Sequence, residues 1–271
     1  MVQPGGPVTN PERDIASLFE DFDESALDPA ALTPDAAFDA RLREIGVELD
    51  DTETAQLGRY LAMLLWANTR LNLTGIKSPS EAWDRHIADA LTLLAPISEL
   101  ASEIEGARGA RTRLIDVGSG GGVPGIPLAI ALPALKVRLV ESTQKKCAFL
   151  EWTARRLGLR NVAVTCERAE RTGTSDLRES FDIATARALG PLSVVCELTL
   201  PLVRVGGLAL LVKGAKADEE LDAAKRAIAL LGAAHAGTLE TPTGRIVVLE
   251  KRAPTPRTYP RREGEPKRAP L

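Results

Sequence analysis

The sequence is short of cysteine, of histidine and of long apolar runs, and each shortage closes off a class of function. Its three cysteines, Cys147, Cys166 and Cys196, are odd in number and widely spaced. That arrangement offers neither a disulfide framework nor a CxxC redox or metal motif, so all three are expected as separate, buried small side chains. The only histidines are His86 and His235, no metal-ligating pattern surrounds them, and no metal is expected. No apolar stretch approaches the roughly 18 residues that cross a bilayer, and the longest lies around Pro127–Leu135. No membrane partner is therefore expected. The amino terminus lacks a basic n-region followed by an apolar h-region, which makes the cytoplasm the expected compartment.

What is present is charge, unevenly distributed. The 271 residues carry a formal net charge of −3, which by itself argues against a nucleic-acid partner. The ends differ in sign, however. Residues 1–30 hold Glu12, Asp14, Glu20, Asp21, Asp23, Glu24 and Asp28 against Arg13, whereas the tail from Ala253 carries Arg257, Arg261, Arg262, Lys267 and Arg268 against Glu263 and Glu265. The length suits a catalytic domain with a smaller accessory piece, expected as a monomer.

Periodicity and punctuation divide the chain into four parts. Residues 1–34 begin with Pro4, Gly5, Gly6, Pro7 and Pro11 and read as a mobile acidic segment. Residues 35–109 read as helical, because Phe38, Leu42 and Ile45, then Leu57, Leu61, Leu64, Leu65 and Ala67, then Trp83, Ile87, Leu91 and Leu94 recur at helical spacing, with Ser80 as a candidate N-cap. A linker is expected at Gly106–Gly109.

Residues 110–252 alternate between strand and helix. Strands are expected at Leu114–Val117, Val137–Val140, Val162–Thr165, Phe181–Thr185 and Leu208–Val212, and helices at Gly125–Leu132, Gln144–Leu157, Leu192–Val203 and Asp218–Leu231. Such alternation predicts an α/β fold with a parallel sheet covered on both faces. The last strand, Arg245–Glu250, follows Leu239 across a turn at Thr241–Gly244, a hairpin spacing that makes it antiparallel. Residues 253–271 form a basic, Pro-rich tail that prolines should keep extended, with a merely solubilising end, or docking onto the catalytic domain through Tyr259, as the alternatives.

The strongest local signal is Asp116-Val117-Gly118-Ser119-Gly120-Gly121-Gly122-Val123-Pro124-Gly125, which joins a strand to a helix. Glycines at Gly118, Gly120 and Gly122 let a ligand lie against backbone at the carboxyl edge of the sheet, with one end at the helix N-terminus. Glu141 closes the next strand, where a carboxylate accepts both ribose hydroxyls of a nucleotide-like cofactor. Together these features specify an adenosine-containing ligand without saying which. Gly120-x-Gly122-x-x-Gly125 also fits a dinucleotide fingerprint, so an NAD-dependent oxidoreductase stays open as an alternative.

Beyond the loop, several motifs resemble a known family. Asn72-Leu73-Thr74-Gly75, Arg85-His86-Ile87-Ala88-Asp89, the Asp116–Gly120 run with Val123-Pro124-Gly125-Ile126-Pro127, Arg168-Ala169-Glu170, Ala186-Arg187-Ala188 and the Tyr259-Pro260-Arg261-Arg262 tail resemble the RsmG (GidB) family of small-subunit rRNA guanine-N7 methyltransferases. The resemblance runs from about residue 40 to the carboxyl end. It implies a class I methyltransferase (Rossmann-like) fold with a mostly parallel seven-stranded sheet and an N-terminal helical extension, S-adenosylmethionine as donor, and guanine N7 of 16S rRNA, free or in the small-subunit particle, as acceptor. By matching position it implies cofactor contacts at Gly118, Val123, Glu141, Ala169, Glu170 and Arg187, to which the loop adds Gly120 and Gly122. The chain departs from the family in having Glu141 where Asp is frequent and in an insertion between Glu170 and Phe181.

Guanine N7 carries an in-plane lone pair and no proton to lose, so this chemistry requires no general base. Arg187, at the end of the fourth strand, is a candidate for the substrate pocket, or else a surface cation pairing with Asp182 or Glu141. Lys213, ending the fifth strand, is a candidate for substrate or phosphate, or a solvated strand end. His86 with Arg85 is read either as a packing residue or as an RNA contact, and Arg257, Arg261 and Arg262 as tail contacts to RNA phosphate. Lys145, Lys146, Arg155, Arg156 and Arg160 read as a solvated helix face. A non-catalytic RNA-binding relative is the remaining alternative.

Overall fold

The computed structural model describes residues 17–23, 33–108 and 111–271. Most of the segment expected to be mobile therefore lies outside the described residues. Its described part, Ser17–Asp23, is packed rather than free of anchors: Phe19 and Phe22 are buried, Phe19 stacking on Trp152 and Phe22 meeting Trp66 and Trp152 edge-on.

Helices form where caps and apolar spacing coincide. Helix α1 (Ala36–Glu44) starts at Asp35, whose carboxylate accepts from the amides of Ala37 and Phe38. Helix α2 (Asp51–Leu71) starts in a capping box between Asp50 and Glu53 and stops at Asn72, which is left-handed. The next helix does not begin at Ser80. Ser78 is the N-cap, Pro79 takes the first helical position, and Ser80 Oγ instead donates to Asp35. Helix α3 (Pro79–Ala82) passes through a π-helical segment, Trp83–Ala88, into α4 (Asp89–Leu91), and α5 (Leu94–Arg108) follows, running into the stretch expected as a linker.

The remaining elements are β1 (Arg113–Val117), α6 (Gly125–Ala131), β2 (Lys136–Glu141), α7 (Gln144–Arg156), β3 (Val162–Cys166), α8 (Ala169–Thr172), β4 (Phe181–Arg187), α9 (Leu192–Thr199), β5 (Val203–Lys213), α10 (Ala217–Leu230), β6 (Ala233–Thr241), β7 (Gly244–Lys251) and α11 (Glu265–Arg268). They build the expected seven-stranded sheet, in the order β3-β2-β1-β4-β5-β7-β6. Strands β1 to β5 are parallel, and β7 pairs antiparallel with both β5 and β6. β5 begins at Val203 rather than Leu208, because Leu200–Leu202 tightens into a 3-10 turn instead of prolonging α9.

Apolar side chains from both sheet faces make two cores. Leu57, Tyr60, Leu61 and Leu64 of α2 share one with Ile126, Phe149, Leu150 and Leu139. Val194, Val195, Leu198, Ala224 and Ile228 of α9 and α10 share the other with Ile115, Val117, Val140 and Leu211. The helical region is thus one layer of the catalytic unit, further tied to it by Gln56 Nε2 donating to Leu157 O at 2.7 Å.

Two readings are corrected by the crossovers. Cys147 and Cys166, 19 residues apart, form a disulfide, because β2-α7-β3 returns the end of β3 beside the first turn of α7; only Cys196 is a free buried thiol. The tail is docked instead of extended. Arg178 and Glu179, just before β4, cradle it: Arg178 donates to Thr255 O and Tyr259 O at 2.6 and 2.8 Å, and Glu179 accepts from Thr255 N at 2.6 Å. Lys251, fully buried, donates to Leu200 O and Thr255 Oγ1, and burial pushes its ammonium down to about 8.

The strongest tail anchor is Arg261, which forks onto the fully buried carboxylate of Glu197 at 2.5 to 3.2 Å, while its own amide donates to the same group at 2.8 Å. Removing Arg261 strands a buried charge, whereas removing Glu197 leaves a guanidinium that can turn to water. Arg261→Ala should therefore cost about 3 kcal/mol of unfolding free energy and Glu197→Gln less. Urea titrations check the order; costs below about 0.5 kcal/mol for both would remove the tail from the folded unit.

Candidate active site

At the carboxyl ends of β1, β2 and β4 lies a cavity of about 530 Å³. Its floor is the glycine loop. Gly118 N and Ser119 N donate to Val140 O at 2.8 and 3.0 Å, which welds the loop to the end of β2. Gly120 adopts φ +56°, and a Cβ there would meet only Gly118 O, at 3.8 Å, so its open side belongs to the cavity. Gly121 faces the other way: a Cβ would strike Leu64 at 2.7 Å, and its carbonyl accepts from the buried Tyr60 hydroxyl at 2.8 Å.

Glu141 stands beside the loop, 8% exposed. Its Oε2 accepts from Gly120 N at 3.1 Å and its Oε1 from Ser142 N and Thr143 N, both at 2.8 Å. Below, burial pushes Asp116 up to about 6 against hydrogen bonds from Ser119 and Thr185, with Thr185 Oγ1 at 3.2 Å from Oδ1.

The opposite wall comes from the helical region. Asn68 Oδ1 accepts from Leu73 N and Thr74 N at 2.7 and 2.8 Å, fixing the Asn72–Gly75 turn so that Thr74 Oγ1 lies 2.9 Å from His86 Nε2. Burial, with the Arg187 charge second, pushes His86 down to about 4, so its ring is neutral at neutral pH. Arg187 pairs with neither Asp182 nor Glu141. Its Nη1 lies 3.1 Å from Asp89 Oδ2, and Asp89 Oδ1 accepts from Thr243 Oγ1 in the β6–β7 turn.

Glu170 closes a further side, its Oε1 accepting from Gly264 N at 2.9 Å, and Lys267 of the tail lines the cavity with Lys146 and Arg168. Of the residues singled out in the sequence, Gly118, Gly120, Val123, Glu141, Ala169, Glu170, Arg187 and His86 line this cavity. Gly122 lies behind it, packed against Ile126 and Leu150. Lys213 lies outside the lining and braces the Gly190 turn, with Nζ at 2.6 Å from Glu220 and 2.8 Å from Gly190 O. Arg85, Arg257 and Arg262 are exposed, while Arg261 is held by Glu197.

A profile described as rRNA small subunit methyltransferase G matches residues 53–245. The chain belongs to this methyltransferase G family. Curated relatives named Ribosomal RNA small subunit methyltransferase G include one from Sorangium cellulosum, 51% identical over 231 residues covering 85% of this chain and 93% of that protein. Another, from Leuconostoc citreum, is 39% identical over 241 residues, 87% of this chain and 98% of that one. Among solved structures, a 16S rRNA (adenine(1408)-N(1))-methyltransferase from Catenulisporales acidiphilia aligns with a TM-score of 0.47 at 16% identity, covering 59% of this chain and 92% of that one.

Within this methyltransferase G chain, sequence reasoning assigned no individual site role to Thr74 and Asp89, which stand in the quoted motifs, to Lys146 and Lys267, read as helix-face and tail cations, or to Thr243. Asp89 follows His86 by three, a helical spacing that could have placed both on one face. Thr243 and Lys267 carry no local signal. Among the described residues no group of three or more His, Cys, Asp or Glu is arranged to hold a metal, and no helix is long and apolar enough to cross a membrane.

The raised Asp116 gives a pH signature with a definite sign. Its proton is held more tightly folded, at about 6, than unfolded, near 3.8, so its contribution is fully present below 3.8 and is lost as pH rises through 6. Asp116→Asn lacks this loss, while His86 is common to both proteins and cancels. The wild type should thus weaken relative to Asp116→Asn by about 3 kcal/mol between pH 3.5 and 7. Paired urea midpoints check it, and a pH-independent difference would show that Asp116 is ionised normally.

Proposed function

We propose that the protein transfers a methyl group from S-adenosylmethionine to N7 of a guanine in 16S rRNA, free or in the small-subunit particle, acting as a cytoplasmic monomer. Membership of the methyltransferase G family supports the reaction and the rRNA acceptor. The observation that carries the reading is the Glu141 carboxylate, buried, pinned by three backbone amides and aimed along the cavity floored by the glycine loop. Pinned this way it keeps a lone pair on Oε2 for a ribose hydroxyl, and open backbone at Gly120 leaves room for the rest of the nucleoside. The nicotinamide reading of the same loop has no such family support, and the intact loop and Glu141 disfavour a non-catalytic relative.

When bound, S-adenosylmethionine supplies a methyl group already activated by its sulfonium. The chain's task is to hold donor and acceptor in line and exclude water. Because N7 loses no proton, none of the cavity residues has to act as a base. What matters instead is positive charge, carried by the donor before transfer and by the methylated base after it. Asp89 offsets Arg187, His86 is neutral, and the carboxylates of Glu141, Glu167 and Glu170 share the lining with Lys146, Arg168 and Lys267, so anionic groups lie within the cavity to face that charge. Arg85, Arg257 and Arg262 are exposed and free to meet RNA in this reading, whereas Lys213 and Arg261 act as internal braces.

Incubation with methyl-labelled S-adenosylmethionine and unmethylated small-subunit rRNA or particles should place the label in 7-methylguanosine. Label in another nucleoside would move the acceptor, and none at all would overturn the activity. Glu141→Ala should weaken donor binding by about 1.5 to 3 kcal/mol in a calorimetric titration, the worth of charge-assisted hydrogen bonds. Single-turnover transfer with RNA saturating should be flat across neutral pH, while a rate rising tenfold per pH unit would require a base and exclude N7.

A further inference from the structure

The amino ends of β1, β2 and β3, at the pole opposite the cofactor loop, open into a second groove of about 760 Å³. Arg111, Arg113, Lys136, Arg138 and Arg160 line it, and no Asp or Glu does. Elsewhere several cations are held in ion pairs, Arg41 by Asp84, Arg204 by Asp182, Arg245 by Asp218 and Arg261 by Glu197. None of the five in the groove has an ion-pair partner among the described residues. Two are aimed by their surroundings. Arg138 Nη1 donates to Thr165 Oγ1 at 3.0 Å, and the Arg113 guanidinium lies 4.9 Å over the Phe181 ring.

The groove is also connected to the cavity. Helix α7 begins where Lys146 lines the cofactor cavity, and its 13 residues span roughly 20 Å. It ends at Arg155 and Arg156, and Arg160 follows on the lip of the groove, with Arg155 and Arg160 sharing a depression in which Glu151 is the acidic exception. Cations thus stand at both ends of α7, Lys145 and Lys146 at its start and Arg155 and Arg156 at its finish, with Glu151 between them. Unpaired like charges repel one another, and a repeating anion is the ligand that relieves them.

We propose that this groove is a second RNA site, binding sugar-phosphate backbone that leaves the active site along α7. The proposal rests on the rRNA reading above. It assigns the groove to positioning the substrate and gives it no part in donor binding.

The test is the salt dependence of binding to small-subunit rRNA by the full chain and by a triple variant, Arg111→Gln, Lys136→Gln and Arg160→Gln, all exposed positions. A matched variant removes three exposed cations elsewhere, Arg43→Gln, Lys225→Gln and Arg226→Gln. Each lost phosphate contact flattens the slope of log affinity on log salt by roughly 0.7, so the groove variant should lose about 2 units and the matched variant little. S-adenosylmethionine affinity should stay unchanged in both. Equal slopes for all three proteins, or equal losses in both variants, would overturn the groove assignment. So would retention of the RNA slope in the groove variant with loss of binding to ADP alone, which would make the groove a mononucleotide site. If the unaltered protein does not bind or methylate rRNA, the underlying function fails instead, a result distinct from each of these.

Discussion

The Asp89 carboxylate, 6% exposed on its side chain, meets the Arg187 guanidinium 3.1 Å away, and Thr243 donates to its other oxygen. These three residues come from the end of the π-helical segment, the end of β4 and the hairpin beyond β5. Nothing local holds them near one another. Desolvating such a pair roughly cancels its attraction, so it contributes little net stability while intact, yet removing either partner leaves a mostly buried charge without its counter-ion. It therefore acts as a registration device. It joins the helical layer to the sheet beside the cavity that Thr74, His86 and Glu141 line.

The same logic organises the rest of the cavity rim. Glu170 is held by Gly264 N and the tail by Glu197 and the Arg178–Glu179 cradle, so the segment between α8 and β4 shapes the tail's seat. At this pole Asp89 and Glu197 have arginine partners, Glu141 and Glu170 take backbone amides, and His86 is neutral. At the other pole the arginines and the lysine are unpaired among the described residues, which is the difference between a site that has its counter-charges built in and one that awaits them.

Much of this was legible in the sequence where the determinants are local. The glycine run after Asp116, the carboxylate closing β2 and the β-α alternation are each written within a short window, and a mostly parallel sheet with an antiparallel last strand is what that alternation and the closing hairpin spacing predict. What escaped is long-range. Cys147 and Cys166 look unrelated until β2-α7-β3 folds back and sets Glu141 in register with Cys166. Prolines in the tail do forbid a long helix, but an extended chain can dock as readily as it can protrude, and Arg261 and Pro260 decide for docking through partners in α9 and α8's flank. Arg187 was recognised as a strand-end cation, but its partner Asp89 lies on another layer and could not be chosen over Asp182 or Glu141 without the fold.

The most direct test of the pair as the constraint that builds the cavity is a double-mutant cycle on S-adenosylmethionine affinity with Asp89→Asn, Arg187→Gln and the two combined, read by calorimetry alongside near-ultraviolet circular dichroism to verify the fold. Each single change should weaken binding, and the double should be no weaker than the worse single, a coupling of about 2 kcal/mol within the range for contacting charges. Additive losses, or full affinity in either single variant, would contradict it.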